Sequence, residues 1–503
     1  MMAAVLQKRS FLHPHRLALV DGDRRLSYAE LAQRSHQVAL LLQQLGIQRG
    51  DRVAILSVNC AEWVELFFAA AELGVILVPL NWRLAPAELD YQLQDCGPRL
   101  LFVGPEQQEL ANRLQSAPRR IAIGSGEWGM RSEGNIVDPT ELPSVATPQS
   151  SLPHLILYTS GTTGHPKGAV LTQANLFWNA INCSLAFGLS ERDTTLTFLP
   201  LFHAGGIGLF TIPSLYVGGR VVLMRAFDAP HAVDLVRRES VNVLFGVPAN
   251  WLELLKVAGF TAADCPSLRV LGSGGAPCPT AVIDRLAERG FSLLQGYGLT
   301  ETAPGGTLLS PEDWRRKAGT VGKPMLHVEL RVVDEVGTDL PPGQIGEVWF
   351  RGPNVFAGYW NNPTATAEAF SADGWFKSGD LGRLDEEGFL TLVDRKKDMI
   401  ISGGENIYSA EVEDALFGHP SVAEAAVIGV PDERWGEVVR AIVALRPGAA
   451  ASADELIEHC RAWMARYKCP RSVVFVDSLP RNASGKVLKA ELRQRFAQEV
   501  HAL

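Results

Sequence analysis

The 503-residue chain is poor in cysteine, with seven (Cys60, Cys96, Cys183, Cys265, Cys278, Cys460, Cys469) scattered and no Cys-x-x-Cys pair. That pattern excludes a disulfide framework and a zinc knuckle as organising devices, and fits a reducing cytoplasm. A surplus of positive charge is also lacking. The net charge is −8, which argues against general binding to nucleic acid or anionic membrane, so any grip on phosphate must be local. No apolar run of membrane length occurs either. The longest stretch without Lys, Arg, Asp or Glu, residues 194–219, is broken by Pro200, Gly205, Gly206, Gly208 and Pro213, whereas a spanning helix needs ~20 continuous apolar residues. It reads as a buried segment of a soluble protein with no transmembrane span. In "MMAAVLQKRSFLHPHR" the apolar run before Gln7, Lys8 and Arg9 is too short for a signal peptide and predicts a helix with a surface arm. There is no internal repeat and no low-complexity tract.

What is present is ordinary globular material, 47% hydrophobic and 20% charged, in a chain longer than the ~250–300 residues that one core can serve. Two or more domains follow. "RVAILS" (52–57) reads as a strand, "AEWVELFFAAAELG" (61–74) as a helix stopped by Gly74, "VILVPLN" as a strand, "APAELDYQLQDCG" as a helix and "RLLFVG" as a strand. Such alternation needs a parallel sheet covered by helices. Residues 132–153, polar and proline-bearing, read as a linker. From about Leu330, "VELRVVDEVG", "GEVWFRG" and "FLTLVDR" are short strands between Gly/Asp turns, a small meander or β-barrel. Beyond "DRKKD" the texture becomes α+β. The fold class is therefore α/β: a large N-terminal domain of doubly wound sheets plus a small barrel (1–396), then a smaller α+β domain (397–503).

Tyr158–Gly168, "YTSGTTGHPKG", is the densest functional signal. Apolar "LILY" enters it and "GAVLT" leaves it, with Thr172 placed to N-cap a helix over 173–187 that Gly188 can end. The loop thus joins two strands. It has neither the spacing nor the immediate helix of a Walker P-loop, G-x-x-x-x-G-K-[ST]. Its composition still suits an anion: glycines turn backbone N–H groups inward as a nest, and hydroxyls and one Lys add donors. The bland alternative is a Gly/Ser surface hairpin.

Leu268–Glu301 reads strand, glycine turn, helix, strand, loop, a βαβ unit. Ligands bind at the carboxyl ends of such strands, where Gly274, Gly275, Ala276 and Pro277 and then Gly296, Tyr297, Gly298, Leu299, Thr300 and Glu301 fall. Small residues let a flat base approach the backbone, Tyr297 can stack on it, Thr300 can bond a phosphate, and Glu301 can ligate Mg²⁺ through oxygen. Taken singly, Tyr297 reads equally as a core aromatic and Glu301 as a helix-start carboxylate.

"YTSGTTGHPKG", "GYGLTE", "SGD" (378–380), "DRKKDMIISGGENIYSAEVE" (from Asp394) and "PRNASGKVLK" (from Pro480) occur in this order. Together they resemble the adenylate-forming superfamily of acyl-CoA synthetases, nonribosomal-peptide adenylation domains and luciferases, and within it the acyl- and aryl-CoA ligases. The resemblance implies two steps: a carboxylate attacks the α-phosphate of ATP to give acyl-AMP and pyrophosphate, and the thiol of CoA then displaces AMP. Attaching AMP gives the carboxylate a good leaving group, and phosphoryl transfer needs mainly positioning and charge neutralisation. It further implies that Thr159, Ser160, Gly161, Thr162, Thr163, Gly164 and Lys167 cradle the β- and γ-phosphates, that Thr300 and Glu301 hold the α-phosphate and Mg²⁺, and that Asp380, helped by Arg395, binds the ribose hydroxyls. Ser378 stands where many relatives carry Thr. Lys486 is implied as the catalytic ammonium, Lys397 as the hinge of a mobile C-terminal domain, and Gly403, Gly404, Glu405 and Trp435 as the CoA tunnel. Outside the motifs, Asp380 would read as a turn residue, Lys486 as surface and "RKKD" as a charge run. His203 is implied as a gate between acyl pocket and thiol; a packed His is the other reading.

The acyl pocket implied comprises residues 203–210, Phe245, Gly246, Val247 and Pro248, residues 272–274, and Gly298 and Leu299. None is Lys or Arg, so a second substrate carboxylate would be buried without a partner. A monocarboxylic acid with a neutral body is expected, aryl or cinnamate-like or a medium-chain fatty acid, with Gly205, Gly206 and Gly208 leaving room for it. Expected partners are that acid, ATP and CoA, with Mg²⁺ as the metal, no nucleic acid, and a homodimer left open. The rival reading is a stand-alone adenylation enzyme that loads a carrier protein, although no Asp for a substrate amine lies beside His203 or Phe245.

Overall fold

A computed structural model describes residues 1–116, 118–124, 128, 151–159, 166–276, 278–481 and 487–497. They form two compact units, one of residues 1–318, 322–330 and 350–376, the other of 319–321, 331–349 and 377–503. The architecture is α/β with mixed sheets. Most of the linker expected over 132–153 lies outside the described residues.

The first unit holds two large sheets. One has seven strands, in the spatial order Gly358–Tyr359, Lys167–Thr172, Pro153–Thr159, Ile76–Leu80, Arg52–Leu56, Leu100–Val103, Arg119–Ala122. Its central strands are parallel and buried on both faces, as their unbroken apolar runs require. The intervening helix Ala61–Leu73 is buried almost all round and ends on Gly74 at φ +69°. Its two fully buried carboxylates are not orphaned: Glu62 pairs with Arg24 at 2.7 Å and Glu65 with Arg34 at 2.5 Å. His154, at the start of Pro153–Thr159, is fully buried with its ring edge-on to Phe67 at 4.5 Å, and neither ring nitrogen makes a well-formed hydrogen bond. Burial pushes its pKa down to about 3, outweighing the opposing effect of the Val75 backbone.

The other sheet has nine strands, in the order Lys323–Pro324, Thr307–Leu308, Leu293–Tyr297, Val270–Ser273, Val243–Gly246, Thr194–Thr197, Arg220–Leu223, Leu17–Asp21, Arg24–Ser27. The expected βαβ unit is there: Val270–Ser273 and Leu293–Tyr297 are parallel, joined through the helix Thr280–Glu288. The apolar stretch 194–219 is a strand, a π-helical turn over Gly206–Thr211 and the helix Ile212–Val217. Among the described residues no helix is long and apolar enough to cross a membrane. The N-terminal helix Met2–Leu12 buries Met2, Ala3 and Leu6, and the terminal amine donates to Gln173 at 2.7 Å.

A four-stranded sheet, most of whose residues fall in the second unit, follows chain order, Glu329–Val333, Gly346–Arg351, Phe376–Leu384, Leu390–Arg395. The nine-residue strand Phe376–Leu384 has no clear alternation in sequence, because Gly379 (φ +71°), Asp380 and Gly382 interrupt it. A five-stranded sheet follows, built on the hairpin Val422–Asp432 with Gly436–Leu445. Its two faces carry separate apolar cores, one around Val412, Leu416, Val439 and Leu456, the other around Ile428, Ile442 and Leu492.

Candidate active site

The glycine-rich loop joins two antiparallel strands, as its flanks required: Pro153–Thr159 pairs with Lys167–Thr172, with Thr159 opposite Lys167. Ser160, Gly161, Thr162, Thr163 and Gly164 lie outside the described residues, as do Pro277 and Lys486. On leaving the loop the chain is fixed by a capping box, in which Thr172 accepts from the Asn175 N–H at the start of the helix Gln173–Ala186, and Gly188 follows at φ +58°. The two-residue strand Gly358–Tyr359 lies on the open edge of this hairpin, with Tyr359 opposite Ala169.

Tyr359 connects the two expected phosphate and metal positions. Its hydroxyl donates to Glu301 Oε1 at 2.9 Å, and the Lys167 ammonium sits 5.3 Å from the centre of its ring. Burial, reinforced by the Glu301 charge, pushes the phenol far above its ordinary pKa, so it stays a donor. Glu301 is buried (7% exposed) within the single turn Thr300–Thr302, and its carbonyl accepts from Phe356 N–H at 2.8 Å. The buried Glu301 carboxylate is a hard-oxygen donor of the kind that suits Mg²⁺, and Thr300 precedes it in the same turn.

Two buried amides hold this loop. Asn354 donates to the carbonyls of Thr302 (2.7 Å) and Gly305 (2.6 Å). Asn179 accepts from Gly305 N–H (2.9 Å) and donates to the Gly208 carbonyl (2.7 Å), which ties the Glu301 loop to the expected acyl segment. Close packing explains the glycines. A Cβ on Gly274 would lie 2.9 Å from Gly296 O, and one on Gly298 1.8 Å from Pro304 O. Gly275 needs φ +78°, and half-buried Ala276 follows it. The half-buried ring of Tyr297 lies 5.6 Å from that of Phe350.

The segments expected to form the acyl pocket carry clustered aromatic rings. Phe245, ending the strand Val243–Gly246 with Gly246 before Val247, is 5.6 Å from Phe210, which is 4.5 Å from Phe187. The idea that Gly206 and Gly208 leave room for a substrate is corrected: a Cβ on Gly206 would be 2.1 Å from Pro200 O, and one on Gly208 2.5 Å from Ala303 O. Their space is filled by the chain's own backbone, and only Gly205 has ordinary clearance. Half-buried His203 accepts at Nδ1 from Gly205 N–H (3.2 Å), and its pKa is lowered by burial, which leaves a neutral ring with its proton on Nε2.

In the second unit Asp380 and Arg395 face each other across paired strands, with Arg395 Nε 3.2 Å from Asp380 Oδ1. Asp380 is therefore a buried strand residue rather than a turn residue. Ser378 supports it, accepting from Asp380 N–H (3.0 Å) while donating to Val348 O (2.5 Å). Lys397 is exposed, between Arg395 and the buried Asp398, which pairs with Arg493 at 2.9 Å. Gly403 and Gly404 form a two-residue hairpin turn at φ +60° and +87°, with Ser402 opposite Glu405. The Trp435 ring covers Gly403, where a Cβ would come within 2.7 Å of it.

Tyr359, Asn179 and Asn354 touch the expected site residues or the loop that carries them, and the guanidiniums of Arg434 and Arg471 lie 4.8 and 5.3 Å from the Trp435 ring; none of these is expected from the sequence. Tyr359 lies 58 residues from Glu301, in a strand too short for any periodicity.

Residues 6–360 match the AMP-binding enzyme family, and residues 411–486 its C-terminal domain. The chain belongs to that enzyme family. It is 42% identical over 489 residues to a feruloyl-CoA synthase of an Amycolatopsis species, covering 97% of this chain and 98% of that one. It is 41% identical over 499 residues to an indoleacetate–CoA ligase of Aromatoleum aromaticum, covering 98% of each. Among solved structures, the o-succinylbenzoate–CoA synthetase of Bacillus subtilis in complex with ATP and magnesium ion superposes with a TM-score of 0.86 at 35% identity, over 97% of this chain and 99% of that one.

Proposed function

We propose that this member of the AMP-binding family is an ATP- and Mg²⁺-dependent carboxylic acid–CoA ligase. It forms acyl-AMP and pyrophosphate, then passes the acyl group to CoA with release of AMP. The observation that carries this is near full-length similarity to acid–CoA ligases, at 42% identity over 97% of the chain, and Glu301, Asp380 and Lys486 stand in the motifs "GYGLTE", "SGD" and "PRNASGKVLK". The substrate is a monocarboxylic acid with a neutral body, aryl or cinnamate-like or a medium-chain fatty acid. The Phe187, Phe210 and Phe245 rings and the lack of Lys or Arg along the acyl segments support that choice.

In this reading Thr159 through Gly164 and Lys167 hold the β- and γ-phosphates, Thr300 and Glu301 the α-phosphate and Mg²⁺, and Asp380 with Arg395 the ribose. Residues 274–277 and 296–298 face the base. His203 gates the thiol's approach, and Lys486 neutralises charge on the substrate carboxylate and the α-phosphate. Residues 397–503 turn about Lys397 between the half-reactions, after which Gly403, Gly404, Glu405 and Trp435 line the pantetheine channel. A hinge is a position that absorbs a large dihedral change.

The test is AMP and pyrophosphate release over a panel of aryl and C2–C16 fatty acids, with and without CoA, reading the thioester by mass. CoA-dependent turnover with one group of acids supports the ligase and names its substrate. Acid-dependent pyrophosphate exchange without thioester retains adenylation but moves the acceptor to a carrier protein.

A further inference from the structure

We propose that Tyr359 is a positioning residue: it fixes the Glu301 carboxylate for the divalent cation and couples it to the phosphate-binding Lys167. This rests on the metal-ligand role given to Glu301 above.

A carboxylate on a short turn can rotate, and a metal ligand that rotates binds weakly. Here one segment restrains Glu301 twice, through its carbonyl at Phe356 N–H (2.8 Å) and through Oε1 at the Tyr359 hydroxyl (2.9 Å). With Oε1 oriented by that donor, the acceptor directions of the carboxylate are set before any cation arrives, the usual way in which an outer group tunes a metal site.

Tyr359 is itself firmly placed. Its strand pairs with Val170 and Ala169, its N–H donates to Thr366 (2.9 Å), and its ring meets Phe356 edge-on at 4.9 Å. The preceding Gly358, at φ +138°, lies so close to Thr366 that a Cβ would come within 2.6 Å. The Tyr359 ring also receives the Lys167 ammonium, a cation–π contact at 5.3 Å. One side chain therefore touches both the strand leaving the glycine-rich loop and the proposed cation ligand. Losing its hydroxyl should disturb the metal, and losing its ring should disturb the metal and the phosphates together.

The experiment uses the full chain and Mn²⁺ as the probe, with bound Mn²⁺ titrated by electron paramagnetic resonance in the presence of α,β-methylene-ATP. Metal-free affinity for that analogue is measured by calorimetry, and thermal melting checks folding. Tyr359→Phe should weaken Mn²⁺ binding by about 10–100-fold, the range typical of an outer-shell partner, and leave metal-free nucleotide affinity within about twofold. Tyr359→Leu should weaken both. Glu301→Gln should weaken Mn²⁺ at least as much as Tyr359→Phe, and the double variant should bind Mn²⁺ no worse than Glu301→Gln alone, because the two act as a unit. Wild-type Mn²⁺ affinity in Tyr359→Phe alongside a loss in Glu301→Gln would overturn the role of Tyr359 and leave Glu301 in place. Unchanged Mn²⁺ binding in both would overturn the Glu301 assignment, and this proposal with it.

Discussion

Acidification should destabilise the first unit in part through His154. Its folded pKa is about 3, against 6.5 for a free imidazole. Between those values the unfolded chain binds a proton that the folded chain refuses, so stability rises with pH. The contribution is complete above pH 6.5 and falls by about 1.4 kcal/mol per pH unit below it. From pH 7 to pH 5 the loss is about 2 kcal/mol, and it levels off near pH 3. Carboxylates also titrate in this range, so the informative quantity is the difference between wild type and His154→Leu. Leucine has a similar volume and removes two unpartnered buried nitrogens, so at pH 7 it should be neutral or stabilising. Urea unfolding followed by pulse proteolysis, at pH 7 and pH 5, should show wild type losing about 2 kcal/mol more than the variant. Equal losses would mean that His154 titrates normally in the folded protein, and that its burial carries no electrostatic cost.

Three further outcomes follow from the site. Lys486→Ala should slow acyl-AMP formation by about 100-fold or more, while transfer from synthetic acyl-AMP to CoA is far less affected; equal loss in both steps would remove Lys486 from its role. Lys397→Pro should do the reverse, keeping adenylation and impairing thioester formation, and a normal thioester step would refute the hinge. Gly208→Ala forces a methyl group against Ala303 O at 2.5 Å. It should cost about 1–3 kcal/mol in urea unfolding and raise the KM for the acid, whereas an unchanged midpoint would show that the 303–304 backbone yields freely.

Sequence reading found the features that glycine, capping and apolar runs mark locally. Flanking "LILY" and "GAVLT" required a strand on each side of the glycine-rich loop, and the pairing of Thr159 with Lys167 is that hairpin. Thr172 and Gly188 marked the ends of the next helix to within two residues. The strand Phe376–Leu384 escaped because Gly379, Asp380 and Gly382 conceal its alternation. Asn179 and Asn354 escaped because a buried amide and a surface amide are the same letter until the burial is known. Gly206 and Gly208 were misread for a related reason. Glycine marks a place where a Cβ cannot fit, but its neighbours in space decide whether backbone or substrate occupies the gap.

Six of the seven cysteines are buried, Cys278 is half-buried, and burial raises the pKa of all seven thiols. The thiolate is the reactive form, so alkylating reagents should meet an almost inert folded protein. Cys60, Cys96, Cys183 and Cys265 belong to the first unit, and Cys460 and Cys469 to the second. The chain thus carries its own set of chemical reporters. Mass-resolved labelling at each cysteine would time the opening of the two units separately, with no engineered probe.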